Sequence, residues 1–185
     1  MISSNDFRTG VTLEIEGQLW TVVDFQHVKP GKGSAFVRTK LKNVIRGNVL
    51  EKTFRAGEML VRAIVETREM QYLYGSGDEY HFMDKSNYEQ IVLLHDVLGD
   101  SVDLLKEGLV IDVQFHNGTV IGAALLNHID LEVVETDPGF KGDTATNVQK
   151  PAKLETGATI GVPLFINPGD KIRIDTRDRK YVSRV

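Results

Sequence analysis

The feature that most limits how this chain can fold is a two-residue alternation of apolar and polar side chains, in short runs that each stop at a turn. Such a run puts one side of an extended segment into a core and the other into water, and the turns between runs close hairpins. Val11, Leu13 and Ile15 alternate with polar residues, Glu16-Gly17 turns, and Leu19 to Val23 returns. In "AFVRTKLKNV", Phe36, Arg38, Lys40 and Lys42 fall on one side and Val37, Thr39, Leu41 and Asn43 on the other. "RGNV" is the next turn and "VLEKTFRAGE" a further strand.

The pattern continues to the end of the chain. Met70 to Tyr74 and Tyr80 to Met83 flank the turn "GSGDE", and Val113 and Phe115 lead into Asn117-Gly118, the strongest two-residue hairpin signal. Ile160, Val162, Leu164 and Ile166 alternate into "NPGD", and Ile172 and Ile174 alternate out of it. "SNYEQIVLLHDVLGD" reads two ways: Ser86 and Glu89 fit a helical capping box, whereas "QIVLL" fits a buried strand. A strand is expected there, followed by a helical turn around Ser101 to Lys106. The fold class expected is all-β, three small barrels over residues 1–63, 64–127 and 128–185. Units of about 60 residues are marginal alone, so packing between them is expected to help.

Several kinds of chemistry find no support. Cysteine is absent, which removes disulfides, thiol nucleophiles and Cys-based zinc sites. The histidines, His27, His81, His95, His116 and His128, show no metal-ligand spacing, and no G-x-S-x-G elbow exists for a serine nucleophile. "GKGS" lacks the G-x-x-x-x-G-K-[ST] spacing of a phosphate loop and runs into a strand rather than a helix. No catalytic residue, metal or cofactor is therefore expected. No run of 18 apolar residues occurs, and "MISSNDFRTG" has no basic region leading into an apolar one, so a cytoplasmic protein without a membrane partner is expected.

Charge is unevenly spread. The net charge is -4, yet residues 1–64 hold 10 Lys and Arg against 6 Asp and Glu, and residues 65–185 hold 12 against 20. Such asymmetry can orient a protein in the field of a polyanion, or can reflect two regions that simply differ in surface charge. In "HVKPGKGSAF", turn geometry accounts for Pro30, Gly31 and Gly33 but does not require Lys32 at the apex. A solvated lysine would explain it alone; His27, Lys29, Arg38, Lys40 and Lys42 nearby make the tip part of a basic surface suited to phosphate. Tyr72, Tyr74, Tyr80 and Phe82 alternate on the arms of one hairpin, so each arm is expected to present its pair on one face. Core packing is favoured over base stacking, because Asp78, Glu79 and Asp84 lie close by.

Two long stretches carry a family resemblance. "KPGKGSAFVRTKLKN" with "GNVLEKTFRAGE" resembles the first domain of the bacterial elongation factor P family, and "KPAKLETGATIGVPLFINPGDKIRIDTRDRKYVSR" resembles its third. The signature positions in the latter are Lys150, Ala152, Gly157, Val162, Pro163, Phe165 and Gly169, with Ile160 a conservative departure. The resemblance implies a KOW/SH3-like barrel followed by two OB-fold barrels in an L-shaped, tRNA-like arrangement. It implies a translation elongation factor, not an enzyme, that binds the ribosome between the P and E sites and relieves stalling at consecutive prolines. Lys32 then matches the family's modified tip, reaching towards the CCA end of P-site tRNA and extended by a lysine-modifying enzyme in a β-lysyl-type or aminopentanol-type way. Lys29, Pro30, Gly31, Gly33, Arg38, Lys40 and Lys42 would line the same surface. Gly142, Asp143 and Thr144 match a loop placed near the E-site mRNA codon, and Tyr181 and Arg184 a C-terminal stretch near tRNA or the small subunit.

Overall fold

In the computed structural model, which describes residues 1–139 and 148–185, nearly all regular structure is strand. The first sheet holds β1 (Ile2–Ser3), β2 (Thr12–Ile15), β3 (Gln18–Val28), β4 (Phe36–Asn43), β5 (Val49–Arg55) and β6 (Met59–Arg62), in the order β1-β6-β2-β3-β4-β5. The β2–β3 turn is where the alternation put it: Glu16 and Gly17 both have positive φ, 54° and 71°, the geometry whose twist matches that of a two-stranded ribbon. Along β4, Val37, Thr39, Leu41 and Asn43 are buried while Arg38, Lys40 and Lys42 are exposed. Val37 and Leu41 pack with Phe7, Leu13, Trp20, Val22 and Phe54, and each such burial contributes about 1.5–3 kcal/mol. Ser4 draws the sheet's two ends together, its amide bonding the Glu58 carbonyl and its hydroxyl the Arg55 carbonyl at 2.7 Å.

The second sheet holds β7 (Glu66–Ser76), β8 (Glu79–Asp84), β9 (Gln90–Leu94), β10 (Val110–His116) and β11 (Thr119–Leu125), in the order β11-β10-β7-β8-β9. "QIVLL" is strand β9, as expected. The helical segment begins earlier than expected, with the single turn α1 (His95–Leu98) running into a 3-10 segment over Gly99–Leu104. The apolar side chains decide this, since Leu98, Leu104 and Leu105 are all buried.

One expectation about this sheet is corrected. Tyr72 pairs with Phe82 and Tyr74 with His81, so Leu73 is an extra residue on its strand. A bulge shifts the side-chain alternation by one. Tyr72 and Tyr74 therefore face opposite sides: Tyr72 packs on Phe82 with ring centroids 5.3 Å apart, and Tyr74 stacks on His81 at 4.4 Å. Tyr80 and Phe82 do share a face, on the Tyr72 side. Burial, and secondarily the neighbouring Tyr80, pushes the Tyr72 phenol above its ordinary pKa, in keeping with a packing role.

The third sheet holds β12 (His128–Thr136), β13 (Gln149–Leu154), β14 (Thr159–Pro163), β15 (Lys171–Asp175) and β16 (Lys180–Arg184), in the order β14-β13-β12-β15-β16. Its edge strands β14 and β16 lie against each other, so the sheet curls back on itself. The interior is almost wholly β-branched and aliphatic, with Ile129, Leu131, Val133, Leu154, Ile160, Val162, Ile166, Ile172 and Ile174 buried. Leu104 joins this core from the 3-10 segment. Lys106 pairs with Glu155 at 2.9 Å, and Asp103 with Arg179, on either side of that insertion.

By spatial contact the chain divides into two compact units. One comprises residues 1–67 and 114–122, and the other 68–113 and 123–185. In the first, a ring nitrogen of His116 lies 2.8 Å from the Ile64 carbonyl. In the second, Leu104 of the 3-10 segment is part of the third sheet's core, and Leu125 of β11 packs against it.

Candidate functional site

The candidate site is built on the longest pairing of the first sheet. Past a register shift between Val22 and Asp24, strands β3 and β4 stay paired out to Val28↔Phe36, so the loop between them, which carries Lys29, Pro30, Gly31, Lys32 and Gly33, is carried on a paired ribbon. Those five residues are all exposed. Gly33 has φ +111°, a conformation L-residues rarely adopt, and is therefore required by the backbone path. Gly31 has no such constraint and nothing within 4 Å of where a Cβ would stand. Among the described residues the Lys32 ammonium makes no hydrogen bond or ion pair. It is an exposed cation at the end of a paired ribbon, on a side chain of four methylenes and an ammonium nitrogen that any added group would lengthen.

The exposed face behind the tip is graded in charge. Arg38 lies between neutral Gln26 on β3 and Thr53 on β5. Lys40, one pair further back, lies between Asp24 and Glu51, and Lys42 between Thr21 and Val49. Directly opposed unlike charges offset one another across strands. The uncompensated charge therefore concentrates at Arg38 and at Lys42, and the loop cations Lys29 and Lys32 extend the Arg38 end. His27, also exposed, packs edge-on against Phe25 with centroids 5.6 Å apart, stiffening the ribbon just before the loop.

A second cluster involves the C-terminal residues. Tyr181, on β16 opposite Ile174, is half-buried against the third core. Arg184 places its guanidinium 5.9 Å from the centroid of Phe165 and 3.9 Å from the Asp170 carboxylate, and Phe165 meets Tyr181 edge-on at 6.5 Å. Phe165 is thus a member that the sequence reading did not assign to the site. A signal was available: Ile160, Val162 and Ile166 alternate inwards, which leaves Phe165 out of phase and 59% exposed. An aromatic ring on the polar side of a strand pattern is the informative case. Gly142, Asp143 and Thr144 lie outside the described residues.

Two further observations bear on chemistry. Among the described residues no three His, Cys, Asp or Glu are grouped to hold a metal ion, and no helix is long and apolar enough to cross a membrane. The carboxylates held below their ordinary range lie in the second and third sheets and not in the β3–β4 loop. Arg177 holds Asp175 well below the ordinary carboxylate range, Arg173 lowers Asp130, and the Ser86 hydroxyl and amide lower Asp84.

Fold and loop together define an all-β, three-domain protein that offers a surface and an exposed lysine tip. Residues 3–60 match a family model described as the elongation factor P KOW-like domain, residues 65–123 one described as the elongation factor P OB domain, and residues 129–184 one described as elongation factor P, C-terminal. The chain is 60% identical to elongation factor P of Gloeobacter violaceus over 185 residues, covering all of this chain and 99% of that one. It is 58% identical to elongation factor P of a Thermoanaerobacter species, with full coverage of both. Among solved structures, translation initiation factor 5A from Methanococcus jannaschii superposes with a TM-score of 0.54 at 22% identity. That match covers 67% of this chain and 93% of the other, and it supports the fold. The chain belongs to the elongation factor P family.

Proposed function

We propose that this chain is a translation elongation factor that binds the ribosome between the P and E sites and stimulates peptide-bond formation at consecutive prolines. The observation that carries the reading is Lys32: an exposed cation with no hydrogen bond or ion pair among the described residues, at the end of a paired ribbon, in a loop shaped by a glycine of positive φ. A lysine-modifying enzyme could reach such a side chain, and a narrow RNA-lined channel could accept it. Lys32 reaches the CCA end of P-site tRNA, and Lys29, Arg38, Lys40 and Lys42 neutralise backbone phosphates along the approach. Three domains over residues 1–63, 64–127 and 128–185 divide the work. Tyr181 and Arg184 meet tRNA or the small subunit, and Gly142, Asp143 and Thr144 meet the E-site codon.

The rate effect needs no reacting group from the protein. Proline has a fixed φ and is a poor partner when misplaced. Ordering the peptidyl-tRNA converts a badly oriented encounter into a near-attack geometry, and positioning of this kind accounts for large accelerations without new bonds. The chain accordingly acts as a binding protein and not as an enzyme.

The deciding measurement is synthesis of a protein containing three consecutive prolines in a purified translation system. Wild-type protein from its native host is expected to relieve the stall and Lys32→Ala to fail. Equal rescue by both removes the role given to Lys32. Rescue by neither, with RNA binding retained, leaves a general RNA-binding β-barrel protein. Peptide mass over residues 30–38 then tests for the added group.

A further inference from the structure

The stretch of chain between the first and second sheets is stapled at two consecutive residues, each to a different element. β6 ends at Arg62 and β7 begins at Glu66. Between them the Ala63 amide donates to the Thr12 carbonyl of β2 at 2.9 Å, and the Ile64 carbonyl lies 2.8 Å from Nδ1 of His116, the last residue of β10. The Ile64 side chain is 73% exposed, so its backbone bond holds this residue more than its packing does. A carbonyl oxygen only accepts, so Nδ1 carries the hydrogen, and Nε2 is left to accept from the Asn117 side-chain amide at 3.2 Å. Both bonds therefore call for one neutral tautomer. Asn117 is itself set by the hairpin turn, with φ 49° followed by Gly118 at 77°.

Packing does not fix the ring. His116 is half-buried and borders a cavity of about 480 Å³ whose walls include Leu19 of β3, Ile45 and Arg46 of the β4–β5 turn, and Thr119 and Ile121 of β11. A side chain at the edge of such a space lacks the close neighbours that lock a core residue, so its two hydrogen bonds hold it. The ring, the Ile64 carbonyl and the Lys32 loop all belong to one compact unit. We propose that His116 is a positioning residue: it fastens the chain leaving the Lys32-bearing sheet to the tip of the β10–β11 hairpin, and so sets where that sheet stands relative to the hairpin. The inference rests on the ribosomal reading above, in which Lys32 acts by placement. A misplacement of about 1 Å far from the reacting atoms can lower a rate by about 10²-fold, so a bond of ordinary strength at the linker reaches the tip.

The chain has no cysteine, so Thr53→Cys on β5 and Thr119→Cys on the hairpin, both at exposed positions, give two unambiguous spin labels on the full-length protein. Pulsed electron paramagnetic resonance then reads the distance between sheet and hairpin. His116→Ala is expected to broaden the distribution. His116→Asn, whose amide nitrogen stands at the same δ position as Nδ1, is expected to keep it as narrow as the parent. Equal widths in His116→Ala and the parent, or equal broadening in both variants, overturn the latch. In triproline synthesis with unlabelled protein from the native host, His116→Ala is expected to lose about three- to tenfold in rescue while His116→Asn stays near wild type. Unchanged rescue by His116→Ala overturns the positioning role. Thermal melts establish that the variants are folded. If His116→Ala is not, Asn117→Gly replaces it, because glycine accepts the positive φ of the turn and the change frees Nε2. The Nδ1–H tautomer seen in the ¹⁵N spectrum of wild type is expected to lose population in this variant, and a wild-type ring found as the Nε2–H tautomer overturns the proposal. Failure of the wild type itself to relieve the stall removes the ribosomal reading and the positioning role together, while the distance measurement on the free protein still decides whether the latch holds.

Discussion

Lys150 Nζ donates to the Asp137 carbonyl at 2.6 Å from a side chain only 6% exposed, on the same side of β13 as Ala152 and Leu154. The four methylenes run through a position that the alternation gives to the core, and the ammonium emerges to fasten the chain just past the end of β12. Lys150→Ala removes packing and bond together and is expected to cost about 2–4 kcal/mol of unfolding free energy. Lys150→Met keeps the apolar stem and is expected to cost less than half of that. Urea denaturation of the two variants checks this; equal losses would mean that the stem contributes nothing.

Gly33 and Gly31 differ in kind. Gly33→Ala forces an L-residue to φ +111° and is expected to shift the loop, moving the amide chemical shifts of residues 29–36. Gly31→Ala meets nothing within 4 Å and is expected to leave those shifts close to wild type. Comparable perturbation by both substitutions would contradict this assignment of roles.

Lys32→Ala separates stability from activity. The side chain is exposed, with no hydrogen bond or ion pair among the described residues, so the unfolding free energy is expected to stay within about 0.5 kcal/mol of wild type. Rescue of triproline synthesis is expected to drop more than tenfold. A thermal melt alongside the translation assay decides whether any loss is functional or reflects unfolding.

Asn43 is a buried polar residue whose three bonds hold the turn after β4. Its carbonyl oxygen accepts from the Ile45 amide at 3.0 Å and the Arg46 amide at 2.8 Å, and its side-chain amide donates to Gln18 Oε1 at 3.0 Å. Asn43→Leu strands two amides and is expected to cost about 2–3 kcal/mol, whereas Asn43→Asp keeps both acceptor contacts and is expected to cost less. Chemical denaturation reads the difference.

Acid should weaken the second and third sheets by a definable route. Asp175, Asp130 and Asp84 have folded-state pKa values below the ordinary 3.8, held there first by Arg177, Arg173 and Ser86 respectively. A depressed carboxylate contributes stability that is fully present above its unfolded value and is lost as pH falls through the folded one. Stability is therefore expected to be level from neutral pH to about 5 and to decline below about 4. Asp175→Asn is expected to flatten that decline. An unchanged acid profile in this variant would show that the Arg177 contact does not stabilise the fold.

Much of the chain was legible because alternation is a local property. Arg38, Lys40 and Lys42 were placed outwards and Val37 and Leu41 inwards from spacing alone, and the structure agrees. Asn117 and Gly118 turn with φ 49° and 77°, as that dipeptide dictates. The exposure of Lys32 follows from the glycines and the proline beside it. The faces of Tyr72 and Tyr74 were not legible, since a bulge arises from how two strands pair and leaves no mark on one of them. Nor was the insertion of Leu104 into the third core, or the gathering of Phe165, Tyr181 and Arg184. The sequence by itself determined the strands, the turns, the basic module and the solvent-facing lysine, because each depends on neighbours within a few residues. The tertiary structure alone decided which side of the second sheet carries Tyr74, which cations remain uncompensated, and which distant side chains share a core, because those depend on register between segments far apart in the chain.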